Sequence, residues 1–208
     1  MLAVAFMGLT VVVSLGWLAG PDRDVLIYMS GLWHESLHPL FQAIALLGGI
    51  ELTTLLMAGL VVFLLWKGYG ADAWVGIAFV AAEVFEVFYK TNLPHLGPGP
   101  KVSHADGPSL SMLFEPSNGL ANSFPSGHML RTVLVYGLLA FVIRRLAPWP
   151  WARALALPLA VVVIVVVAFD RLYLDVHWES DVLGGLLLGA IVMVSATVWL
   201  DRPRRTEN

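Results

Sequence analysis

The stretch Ala152–Phe169, ARALALPLAVVVIVVVAF, carries one charge, at Arg153, and then runs apolar to its end. A segment of this kind matches the roughly 20 residues needed to cross a hydrocarbon core of about 30 Å. It must be helical, because a lone strand in lipid leaves its backbone groups unpaired. Pro158 inside it predicts a kink. Five further stretches of similar character lie along the chain: Met1–Ala19, Phe41–Trp66, Ala71–Tyr89, Gly127–Ile143 and Asp181–Leu200. The composition agrees. Of 208 residues, 58% are hydrophobic and 13% are charged, where a soluble domain carries roughly a quarter charged residues. The fold expected is all-α: a polytopic membrane protein, a bundle of six transmembrane helices forming a single domain over residues 1–208.

The short loops fall into two sets. One holds Lys67, Arg144, Arg145, Arg153, Arg202, Arg204 and Arg205; the other holds Arg23, Lys90, Lys101 and Arg171. The richer set belongs in the cytoplasm, which puts both termini there. The outer connections are then residues 20–40, 90–126 and 170–180. Tryptophans near the predicted interfaces form an aromatic belt. The N-terminus lacks the basic start of a secretory signal and reads as an uncleaved first span. A net charge of −3 argues against nucleic acid as a partner. The absence of cysteine excludes disulfides and thiolate metal sites.

Ionisable groups near lipid cost free energy, so their placement is informative. Three clusters lie on the outer side. AEVFEVFYK closes the third span, with Glu86 four residues before Lys90 in the favourable ion-pair order and Glu83 one turn deeper. Lys90 reads either as a phosphate ligand or as a helix-end lysine reaching the interface. NSFPSGHMLR opens the fourth span. It places Ser126 and Gly127 at a helix N-terminus, where free N–H groups favour an anion, followed by His128 and Arg131. FDRLYLDVHWESD precedes the sixth span and supplies Arg171, His177 and Asp181. His177 and Asp181 are four apart and face each other if helical, so the carboxylate can hold one imidazole nitrogen and expose the other. Asp170, Asp175 and Glu179 read as solvated loop charges. Glu51, in the middle of the second span, reads as a buried carboxyl. Arg131 suits equally a partner for Glu83 or Glu86 and a phosphate contact.

Cations, N–H donors, two histidines and an orienting carboxylate suit phosphoryl transfer without metal or cofactor: one imidazole attacks phosphorus, another protonates the leaving oxygen. PSGH followed by R-x5-H-x3-D, at the starts of the fourth and sixth of six spans, resembles the type 2 phosphatidic acid phosphatase family, the membrane lipid phosphate phosphatases. That resemblance implies His177 as nucleophile through a phosphohistidine, Asp181 as its orienter and His128 as general acid. It implies Ser126, Gly127, Arg171 and Lys90 as phosphoryl ligands. It also implies hydrolysis of a lipid phosphomonoester or pyrophosphate, such as polyprenyl pyrophosphate, phosphatidic acid or phosphatidylglycerol phosphate. The setting implied is a bacterial inner or plasma membrane, with the site facing outward. Transfer to an alcohol acceptor, and a non-catalytic lipid-binding relative, are the rival functions. One motif departs: the family's K-x6-R-P, often Arg-Pro-Arg-Pro, becomes Lys90 followed by Gly97-Pro98-Gly99-Pro100. Arg131, Lys101, His95 and His104 are candidate substitutes for the lost charge.

LWHESLHPL, Leu32–Leu40, contains the zincin letters His34-Glu35-x-x-His38. It lies between spans, Pro39 is expected to stop its helix, and no third ligand has the right spacing. The expected role is that of interface side chains.

Overall fold

The computed structural model describes residues 1–99, 104 and 122–202. The described residues form helices joined by turns, and their one β feature is an isolated antiparallel bridge between Leu96 and Asn122. The helices are α1 (Leu2–Ser14), α2 (Ala19–Ser30), α3 (His38–Ala45), α4 (Ile50–Trp66), α5 (Val75–Asn92), α6 (Gly127–Leu146), α7 (Pro150–Tyr173) and α8 (Glu179–Leu200). The last four expected spans correspond to α5 to α8. α7 runs through Pro158 as one helix.

The first two expected spans are each broken. α1 stops at Ser14 because Gly16, at φ +70°, closes a Schellman end: Gly16 N–H donates to Val13 O and Trp17 N–H to Val12 O. Thirteen residues rise about 20 Å, short of a hydrocarbon core. α2 then leaves at 89° to α1. Its two ends are tied to the first turn of α8 and to the chain just before it. Asp22 accepts hydrogen bonds from Ser180 N–H at 2.9 Å and Ser180 Oγ at 2.8 Å, and Ser30 Oγ donates to Asp175 at 2.7 Å.

The second span divides at residues 46–49 into α3 and α4. Carbonyls released by this break find partners on α6: Arg131 Nε donates to Gly48 O at 3.2 Å and the Tyr136 hydroxyl to Leu47 O at 3.1 Å. Thr53 Oγ1 takes Gly49 O at 2.7 Å. A Cβ on Gly48 would lie 2.8 Å from Thr132 Oγ1 and 3.1 Å from His128 Cβ, so only glycine lets α6 approach here. The break also corrects the reading of Glu51. It is exposed in the first turn of α4, where the helix dipole favours a carboxylate, and not buried in mid-span.

α6 is the central helix. It packs against α4, α5, α7 and α8, while α1 lies along α8. Gly185 and Gly189 bring α8 onto α6; a Cβ at Gly185 would meet Ser126 O at 2.3 Å and one at Gly189 Leu130 O at 2.7 Å. By contrast, α7 turns Leu155, Leu157, Leu159, Val161, Val162 and Val165 outward. An outward apolar face of this extent is suited to lipid. Among the described residues, Glu35–Trp66, α7 and α8 are long and apolar enough to cross a membrane, and α1 with α2 qualifies if the bent pair is taken together.

Two expectations about polar residues are overturned. Asp170 and Asp175 are wholly buried, not solvated. Asp170 pairs with its neighbour Arg171, and Asp175, at φ 52°, receives Ser30. Glu179 is partly buried in the first turn of α8. Pro39, expected to stop a helix, instead opens α3, as its preset φ and missing N–H allow.

Candidate active site

The N-terminus of α6 is the organising point. Ser126 is its N-cap residue and Gly127 its first. Ser126 N–H donates to Asp181 O at 3.0 Å, which joins the start of α6 to the start of α8. The Ser126 hydroxyl is buried and makes no hydrogen bond in the described structure. A buried hydroxyl in that state costs about 1–3 kcal/mol. It stands beside the amide end of a helix, where an anion is favoured.

His177 lies just before α8, whose N-cap is Trp178, so the histidine is not on the helix as its spacing suggested. The pairing still forms: His177 Nδ1 is 3.3 Å from Asp181 Oδ2. Asp181 Oδ2 also accepts Trp178 N–H at 2.9 Å, which fixes the carboxylate as part of the helix cap. The other oxygen, Oδ1, is 3.3 Å from His95 Nε2. That contact is within ion-pair range but lies off the hydrogen-bond direction. One carboxylate therefore stands between two imidazoles.

His128 occupies the first turn of α6, within electrostatic range of Arg171, Arg131, His177 and Lys90. Arg171 ends α7 and is buried, with Nε 2.9 Å and Nη2 2.5 Å from Asp170 Oδ2. Lys90 Nζ is 2.9 Å from Glu86. Arg131 is buried under the α6 terminus, its Nη1 at 3.0 Å from Glu83 and 2.9 Å from Glu86. The Glu86 carboxylate presses on that terminus so closely that a Cβ on Gly127 would lie 2.0 Å from it. A side chain at Gly127 would thus have to displace the Glu86 carboxylate, an approach that no spacing rule reveals. The structure brings together at one end of the bundle all eight candidate residues: His177, Asp181, His128, Lys90, Ser126, Gly127, Arg171 and Arg131.

Sequence reasoning missed Asp170, Asp22 and the bridging place of Asp181. Asp170 had a signal, since it adjoins Arg171; Asp22 had none, since its partner Ser180 is 158 residues away. Of the candidate substitute cations, His95 meets Asp181, His104 stacks on Trp33 at 3.4 Å between ring centroids, and Lys101 lies outside the described residues. The zincin letters do not assemble. His34 and Glu35 are exposed beside a 3-10 turn, whereas His38 begins α3 and faces Trp33. Among the described residues no group of three or more His, Asp or Glu side chains is placed to hold a metal ion.

Over 71 residues the chain is 38% identical to phosphatidylglycerophosphatase B of Bacillus subtilis (strain 168); the match covers 34% of this chain and about a third, 35%, of that protein's length. The fold is similar to the crystal structure of a transmembrane PAP2-type phosphatidylglycerolphosphate phosphatase from Bacillus subtilis. The TM-score is 0.81, at 20% identity, over 99% of this chain and 97% of that one. LpxE of Aquifex aeolicus has a TM-score of 0.56, at 20% identity, over 85% of this chain and 94% of its own. These likenesses and the apolar helices make it an integral membrane protein. The profile of the PAP2 superfamily matches residues 52–205, which include every candidate site residue, and the chain belongs to that superfamily.

Proposed function

We propose that this protein is a membrane lipid phosphatase that hydrolyses a lipid phosphomonoester or pyrophosphate through a phosphohistidine. The observation that carries this reading is the His177–Asp181 pair at 3.3 Å beside an α6 N-terminus whose Ser126 hydroxyl is buried without a partner. Asp181 takes the Nδ1 proton of His177 in a hydrogen bond and leaves Nε2 as the nucleophile. Nε2 attacks phosphorus as the bond to the leaving oxygen breaks, and His128 gives that oxygen a proton. Ser126, Gly127 N–H, Arg171 and Lys90 take the charge of the phosphoryl oxygens. Arg131 adds its charge from beneath, through Glu86. Water then attacks the phosphohistidine, loses its proton to His128, and releases phosphate and His177.

The same reading has six crossings, with both termini cytoplasmic and the site at the outer face of a bacterial membrane. It is supported by Lys67, Arg144, Arg145 and Arg202, which sit at the helix ends away from the site. Phosphatidylglycerol phosphate heads the substrate panel, because the Bacillus subtilis match carries that specificity in its name. Phosphatidic acid and polyprenyl pyrophosphate complete it. The test is phosphate release from each lipid by purified protein, with and without EDTA, together with acid-labile labelling of the protein. Release that persists in EDTA, and label lost in His177→Ala, are the expected results. Label that survives in His177→Ala rejects the assigned nucleophile.

A further inference from the structure

The site holds less free positive charge than its list of cations suggests. Lys90 is engaged by Glu86, Arg131 by Glu83 and Glu86, and Arg171 by Asp170. With Asp181, four carboxylates face three cations before any phosphoryl group arrives. A buried anion with uncompensated charge is strongly disfavoured. Besides His128 and His177, this end carries the basic side chain of His95, and hydrogen bonds of its backbone hold it there. Its N–H donates to Asn122 Oδ1 at 3.0 Å, and its carbonyl accepts Ser123 N–H at 2.8 Å. Leu96, beside it, bridges to Asn122 and accepts the Trp178 indole N–H at 2.8 Å. Asn122 Nδ2 closes the strap on Lys90 O at 2.7 Å.

Taking the phosphatase reading as its basis, we propose that His95, as an imidazolium on the second oxygen of Asp181, is a positioning residue that supplies charge for phosphoryl binding. The groups facing it are Asp181 from α8, Asp22 from α2, His177 across the shared carboxylate and the edge of the Phe124 ring. Burial alone depresses the His95 imidazole, but Asp181 more than offsets this and Asp22 adds to it, so the proton is held above the ordinary histidine range. The charge is therefore present through the ordinary histidine range and is lost only as pH rises above it. Its loss weakens phosphoryl binding more than it slows the chemical step, because His177 keeps its own contact with the other oxygen of Asp181.

His95→Gln keeps a donor at the position of Nε2 and removes the charge; His95→Lys keeps a charge. Two readouts are taken on each detergent-purified protein: equilibrium binding of inorganic phosphate, and KM and kcat on dioctanoyl phosphatidic acid. At about pH 6, His95→Gln is expected to bind phosphate about tenfold more weakly and to raise KM in proportion, with kcat within about threefold of wild type. At a second, alkaline pH above the raised range of His95 the gap to wild type closes, because the wild-type imidazole is then neutral. His95→Lys keeps tight binding at both pH values. Equal affinity and KM in wild type and His95→Gln across pH would overturn the inference, as would equal weakening by His95→Gln and His95→Lys. A wild type that hydrolyses no lipid, yet binds phosphate with this pattern, rejects the phosphatase reading and leaves the charge assignment standing.

Discussion

Replacing Arg131 by methionine removes a guanidinium that is 3% exposed and touches three acceptors on two other elements. Methionine fills much of the same apolar volume, so the loss is electrostatic. Stranding one partner of a buried ion pair costs about 3–5 kcal/mol. Two features lower that figure here. Glu86 keeps Lys90 at 2.9 Å, and the Glu83 side chain is 22% exposed, so water takes up part of its charge. The expected destabilisation is therefore about 2–3 kcal/mol, most of it from Glu83. It is measured by reversible unfolding in mixed micelles of rising SDS fraction, read by tryptophan fluorescence. The second arm is Glu83→Gln in the Arg131→Met background. It should recover more than half of the loss, because the stranded charge is gone, and a double-mutant cycle isolates that coupling. An Arg131→Met protein within about 0.5 kcal/mol of wild type refutes the view that this network holds α5 to α6.

Gly127→Ala is expected to leave a folded protein with at least about a tenfold loss of turnover, because its Cβ would lie 2.0 Å from the Glu86 carboxylate and must push it from the α6 terminus; phosphate release and thermal unfolding together check this. Asp22 predicts a dependence on pH. Burial raises its pKa above the ordinary carboxyl value despite the Ser180 bonds, so its protonated form favours the fold at low pH and that contribution is lost as pH rises through the folded value. At pH 7 Asp22→Asn should match or exceed wild-type stability, whereas Asp22→Ala should lose about 1 kcal/mol through the uncapped start of α8. An Asp22→Asn protein that is the weaker of the two contradicts this account.

The apolar helical character of the chain and the chemistry that collects at one end were legible in the residues alone. Long apolar runs admit only helices in lipid, and that constraint is local, so α5 to α8 follow from the chain alone. Charge at the edge of lipid is costly enough that Lys90, His128, Arg171, His177 and Asp181 stand out without any structure. The i,i+4 pairs Glu86–Lys90 and His177–Asp181 were legible because each partner lies one turn away. Tertiary structure decided what depends on contacts between distant segments. The break between α3 and α4 is tolerated because Arg131 and Tyr136, from α6, donate to its freed carbonyls. The right-angle turn into α2 is held by Asp22 and Ser30 on residues near position 180. Whether Asp170 and Asp175 meet water or the interior, and whether one carboxylate serves one imidazole or two, were settled by packing across more than 80 residues of chain. Periodicity and spacing describe a residue's neighbours along one element; burial and charge pairing depend on what the other elements place against it.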